Sequence, residues 1–149
     1  MSSEVSQVAQ SVLDRCLCKR TRAAARAITR FYDDEMRATG LRPSQVEVLV
    51  TIAAKEELSI SALSDELGMD RTTLTRNLRP LEARGLVASV TEGRTRLVRL
   101  STAGSQVLGQ AVGHWERAQA EMERILGEAG VATVRRSSAA IASAARSAG

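Results

Sequence analysis

Two arginine-bearing segments hold the residues best suited to chemistry. Between Asp70 and Gly85, Leu74, Leu78 and Leu81 recur at i, i+4 and i+7, the spacing of one buried helical face. The opposite face then carries Arg71, Thr72, Thr73, Thr75, Arg76 and Arg79, with no acid beyond the capping Asp70. Guanidinium groups placed this way can grip phosphates and read guanine edges, and threonine methyls can meet thymine methyls. Downstream, Arg94 and Arg96 lie at the tip of two strand-like runs, Leu86 to Thr91 and Arg96 to Leu100, joined by Glu92-Gly93-Arg94-Thr95. A guanidinium at such a tip suits a narrow minor groove, where negative potential concentrates. Arg94 is the first choice for that role because it lies in the turn, and Arg96 is the second. Arg99 is expected along the strand, toward solvent. A solvated helix face alone would show similar charges, but not an arginine-tipped hairpin immediately after it.

Other elements must position these two segments. From about 5 to 40 there is no proline and no glycine before Gly40, and Val8, Val12, Ala24, Ala27, Ile28, Phe31 and Met36 fall mostly on helical spacing. The pattern predicts one long helix capped near Gly40. Pro43 fits the first turn of a second helix, with Val46, Leu49, Val50 and Ala53 as its apolar stripe. Lys55-Glu56-Glu57 is a polar break. Ser61 is expected to cap a third helix ending at Gly68, and Asp70 a fourth ending at Gly85. Pro80, inside that fourth helix, removes one backbone donor and predicts a bend or a weak last turn. Thr102 is expected to cap a fifth helix running to about Gly127, and Val131, Val134 and Ile141 allow a sixth. The fold class is therefore mainly α with a small β-hairpin, a winged helix-turn-helix. Residues 43–101 form the winged lobe, and 5–40 and 102–147 form dimerisation helices, all within one domain, 1–149.

Bulk composition agrees with this layout. The 149 residues are 44% hydrophobic but only 2% aromatic, so aliphatic side chains must fill the core. Lys and Arg outnumber Asp and Glu, 21 to 17, for a net charge of +4, which makes a nucleic-acid partner plausible. Two cysteines exclude a disulfide framework and a four-cysteine zinc site. No apolar run is long enough to span a membrane, and the polar N-terminus with Glu4 is unlike a signal peptide, so a cytoplasmic location is expected. The apolar stripes outside the winged lobe exceed what that lobe can cover, which predicts a homodimer.

The run Leu63-Ser64-Asp65-Glu66-Leu67-Gly68-Met69-Asp70-Arg71-Thr72-Thr73-Leu74-Thr75-Arg76-Asn77-Leu78, continuing to Val87, resembles the helix-turn-helix of the MarR family of bacterial regulators. Leu100-Ser101-Thr102-Ala103-Gly104 resembles that family's closing element after the wing. The wing departs from the usual Asp-x-Arg, reading Glu92-Gly93-Arg94, and is a few residues shorter than is common. The resemblance implies a homodimer with interlocked terminal helices, acting on double-stranded DNA at a pseudo-palindromic operator. It also implies repression, relieved by a small aromatic ligand held between the dimer helices and the DNA lobe, or by an oxidant.

Cys16 and Cys18 lie two apart, and residues i and i+2 point to different sides of an intact helix, so they cannot bridge each other there. Small packing residues are the plain reading. A resemblance to OhrR-type peroxide sensors gives a sharper one, because Cys18 stands at a matching distance before Tyr32, although Pro43 replaces that subgroup's second tyrosine. Arg15, Lys19, Arg20 and Arg22 surround the pair, a setting that promotes thiol chemistry. His114 is the sole histidine and is expected to be an ordinary helix residue rather than a metal ligand. No cofactor is expected. There is no phosphate loop, nucleophile motif or paired-carboxylate constellation, so the chain does not read as an enzyme. A winged helix that binds protein instead of DNA would not need the arginine face.

Overall fold

The computed structural model describes residues 2–148. The expected first helix is two helices, α1 (Ser2–Arg15) and α2 (Leu17–Met36). The chain breaks at Cys16, whose backbone is extended (φ −70°, ψ 108°) and whose Sγ accepts from the Lys19 N–H. Helical periodicity continues across one extended residue, which is why the break was invisible in the sequence. A 3₁₀ turn (Arg37–Thr39) ends at Gly40, which takes the left-handed conformation expected of it (φ 65°).

Helix α3 (Pro43–Lys55) starts at its proline as expected. Its buried residues are Val46, Val48, Leu49 and Ile52, whereas Val50 and Ala53 are exposed. The expected stripe was therefore partly wrong, because α3 is enclosed by elements on more than one side and Val48 and Ile52 meet them. A short strand, β1 (Glu57–Ser59), begins at the last residue of the polar break, and alternation over three residues could not reveal it.

Helix α4 (Ile60–Leu67) is capped by Ser59, not by Ser61; the Ser59 Oγ accepts from the Ala62 N–H at 3.1 Å. Gly68 closes α4 in the left-handed region, and Asp70 caps α5 (Arg71–Ala83) as expected. Strands β2 (Val87–Glu92) and β3 (Thr95–Leu100) form the expected hairpin. Strand β1 adds to its other edge, giving an antiparallel sheet ordered β1-β3-β2, with Leu58 opposite Val98 and Val90 opposite Leu97.

Helix α6 (Thr102–Ser147) is capped by Ser101 rather than Thr102. The Ser101 Oγ accepts from the Gly104 N–H at 2.9 Å and donates to the Gly85 carbonyl at 2.6 Å, so one hydroxyl joins the end of α5 to the start of α6. At Gly127 (φ 66°, ψ 168°) the helix is interrupted, and the expected sixth helix is the segment beyond.

The core is aliphatic. Met36, Leu49, Ile52, Leu63, Leu74, Leu78, Leu81 and Val98 are fully buried, and Leu108 and Ala111 of α6 pack on the same cluster. Helix α1 lies outside it, and Val5, Val8, Val12, Leu13 and Leu17 are all exposed.

Candidate nucleic-acid interface

The three leucines expected beneath α5 are buried, and this fixes which way the helix presents its polar side. At 100° per residue, Arg71, Thr72, Thr75, Arg76 and Arg79 fall within an arc of roughly 140° away from the leucines. All five are exposed. With Pro80 they line a shallow surface depression of about 460 Å³. The helix entry is held by Asp70, whose carboxylate accepts from the Thr73 N–H at 2.8 Å and from the Thr73 hydroxyl at 2.7 Å. Those hydrogen bonds favour the ionised form and lower the Asp70 pKa. Thr73 is therefore committed to the cap, unlike its neighbours on the open face. The Arg71 guanidinium donates to the Ser61 hydroxyl at 2.6 Å, tying α5 to α4, and the Thr75 hydroxyl donates to the Arg71 carbonyl at 2.7 Å.

The hairpin tip carries Arg94 beside Gly93, whose φ of 61° suits a residue without Cβ. Arg94 is exposed and makes no ion pair among the described residues. Arg96 differs. Its guanidinium meets the Glu82 carboxylate near the end of α5 and lies 3.3 Å from the Ser89 hydroxyl, which itself donates to Glu82. Two strands and the helix end are thereby joined through one carboxylate.

Sequence reasoning missed three further residues. Glu82 is one. The others are Ser44 of α3 and Asn77 of α5, both half-buried, whose Ser44 hydroxyl donates to the Asn77 Oδ1 at 2.8 Å. The Asn77 amide in turn donates to the Thr73 carbonyl at 3.0 Å. Asn77 follows Leu74 by three positions, so a polar side chain on the flank of the leucine stripe was the available signal.

Cys18 is exposed and Cys16 half-buried, and both are free thiols. Tyr32 shares α2 with Cys18, but fourteen helical residues separate them, about 21 Å of rise. Within one chain they are not brought together. The Tyr32 hydroxyl instead donates to Gln119 Oε1 at 2.8 Å, and burial, then the nearby Glu123 charge, raises its pKa. His114 is half-buried, with Nδ1 3.0 Å from the Glu35 carbonyl and 2.7 Å from the Arg117 guanidinium. Among the described residues no cluster of His, Cys, Asp or Glu is arranged to hold a metal, and no helix is long and apolar enough to cross a membrane.

An open cleft of about 770 Å³ lies where α2, α3 and α6 meet. Tyr32, Met36, Val46, Val50, Val112 and Trp115 give it an apolar and aromatic wall. Arg42 is the sole cation of the described lining, against the carboxylates of Asp33 and Glu47. Desolvation raises the Glu47 pKa.

The sequence profile of the MarR family matches residues 39–96. The crystal structure of the M. tuberculosis transcriptional regulator MosR is 36% identical, with a TM-score of 0.80, and covers 91% of this chain and 98% of its own. MosR in complex with DNA matches at 33% identity, a TM-score of 0.81, and 90% and 98% coverage. The PcaV transcriptional regulator from Streptomyces coelicolor, solved with its natural ligand, has the same fold at 22% identity and a TM-score of 0.80, over 89% of this chain and 96% of its own. The uncharacterized HTH-type transcriptional regulator YdgJ of Bacillus subtilis (strain 168) is 31% identical over 56% of this chain, a match that spans about half (53%) of that relative's length. With nearly the whole of MosR aligned, the helix-turn-helix and wing in place, and the family profile centred on them, the chain belongs to the MarR family of winged helix-turn-helix regulators.

Proposed function

We propose that this protein is a sequence-specific, dimeric DNA-binding repressor. The observation that carries this reading is the exposed face of Arg71, Thr72, Thr75, Arg76 and Arg79, held outward by three buried leucines beside the arginine-tipped wing. The relative MosR, crystallised with DNA, supports it. Helix α5 enters the major groove and Arg94 the adjacent minor groove. Thr73 contributes by fixing the helix start and Arg96 by bracing the wing, each turning toward DNA only at the expense of its present partner. The apolar α1 stripe, together with exposed Ile125, Leu126, Val134 and Ile141 of α6, is the surface through which two copies associate. The test is duplex binding across a salt series with genomic fragments. Binding to selected fragments should weaken steeply as salt rises. Affinity that is independent of salt and of sequence would refute the reading.

Release of the DNA is assigned to a small molecule in the cleft. A second reading, thiol oxidation, is favoured by the exposure of Cys18 next to the helix break at Cys16. A peroxide oxygen transferred to the Cys18 thiolate gives sulfenic acid and hydroxide; attack by a second thiolate then forms a disulfide and expels hydroxide. A bridge to Cys16 of the same chain requires the first turn of α2 to open. Peroxide should weaken operator binding, and Cys18→Ser should abolish that response. Unchanged binding after peroxide removes the second reading.

A further inference from the structure

We infer that the cleft between α2, α3 and α6 selects a cationic aromatic or amphipathic molecule over a carboxylate, and that its occupancy reaches α5 through Ser44 and Asn77. This rests on the reading of the protein as a DNA-binding regulator and names its effector class and its route of action.

The charge selection comes from the lining. Asp33 and Glu47 both face the cleft, and among the described residues neither lies within ion-pair distance of a Lys, Arg or His. Both carboxylates are exposed in the cleft lining, and at Glu47, which stands beside the apolar wall, desolvation raises the pKa. An incoming cation is attracted by the two carboxylates, whereas an incoming anion is repelled by them. Arg42, at the N-terminal end of α3, is exposed like the two carboxylates, so the described lining carries two acidic groups against one basic group. The remaining wall includes two aromatic rings, Tyr32 and Trp115, whose faces attract cations. Its volume of about 770 Å³ accommodates a molecule of two or three rings. The net charge of +4 favours anions at long range, so a preference for cations must arise locally.

The route comes from one residue with two neighbours. Ser44 lines the cleft and its hydroxyl bonds Asn77 on the DNA-facing helix. Asn77 holds the Thr73 carbonyl, and Thr73 forms the cap with Asp70. An occupant that displaces the start of α3 therefore changes the support of the first two turns of α5. Binding at the two sites is then reciprocally coupled.

The experiment uses 1-naphthylmethylammonium and 1-naphthoate, similar in shape and opposite in charge. Trp115 is the only tryptophan, so its fluorescence reports the cleft. The ammonium should quench it and bind about tenfold more tightly than the naphthoate, a preference that Glu47→Gln reduces. Equal or tighter binding of naphthoate, or quenching by neither, overturns the charge selection. Operator affinity is measured in parallel. Saturating ammonium should weaken it about tenfold in the parent and at most about twofold in Ser44→Ala and in Asn77→Leu. Release of either variant to the parental extent overturns the route. A protein that prefers the ammonium but binds no operator fails as a regulator while keeping its charge selection, so the two failures are separable.

Discussion

Arg96 on β3 and Glu82 on α5, fourteen residues apart, form an ion pair that fastens the wing to the end of α5. Both side chains are partly exposed, so the pair adds little to global stability, under about 1 kcal/mol. Its effect is geometric, because it sets where Arg94 points relative to α5. Glu82→Ala should therefore weaken operator binding several-fold even though it removes a negative charge close to DNA. In a double-mutant cycle the Glu82→Ala and Arg94→Ala effects on affinity should be non-additive. Tighter binding by Glu82→Ala would show that Glu82 acts only as a repelling charge.

Arg76 and Arg94 should fail differently. Arg76→Ala removes the arginine most nearly opposite the buried leucines and should cost about 1–3 kcal/mol of specific binding with a changed base preference. Arg94→Ala should weaken binding more uniformly across sequences and lower the salt slope by about one. Binding selections from a randomised duplex pool, run for both variants, separate these outcomes.

Asp70 makes the stability of α5 depend on pH. Its folded pKa is depressed by the Thr73 hydrogen bonds. The stabilisation is therefore present above the ordinary aspartate pKa and is lost as pH falls through the lower, folded value. Asp70→Ala should lower the melting temperature at neutral pH, and the gap to the parent should close in acid. Asp70→Asn, which keeps a capping oxygen, should lose less. Thermal melts of the three proteins across acid pH check this.

Gly104 is required by close packing. A Cβ there would sit 2.0 Å from the Leu86 carbonyl oxygen and 3.3 Å from Leu100 Cδ2. The backbone oxygen cannot rotate away as a side chain could. Gly104→Ala should destabilise by at least the 1–3 kcal/mol typical of overpacking, despite alanine's better helix propensity. Denaturant unfolding measures it. Gly109→Ala, with nothing within 4 Å of its added methyl, is the control and should be neutral or stabilising.

The sequence by itself determined the helix-turn-helix, the hairpin, the buried leucines of α5 and the arginine face opposite them. These follow from local periodicity, turn glycines and caps, each readable within about a dozen residues. It also carried the Gly127 break. It misplaced the α4 and α6 caps by one or two positions, because Ser59 and Ser61, or Ser101 and Thr102, are equally good candidates until the backbone chooses. Only the tertiary structure decided that β1 joins the hairpin, that Arg96 is held by Glu82, that Ser44 reaches Asn77 across 33 residues, and that the cleft carries two carboxylates. Periodicity states which side of an element is buried. It does not state which element lies against that side, and ion pairs, distant hydrogen bonds and cavities exist only once that packing is set.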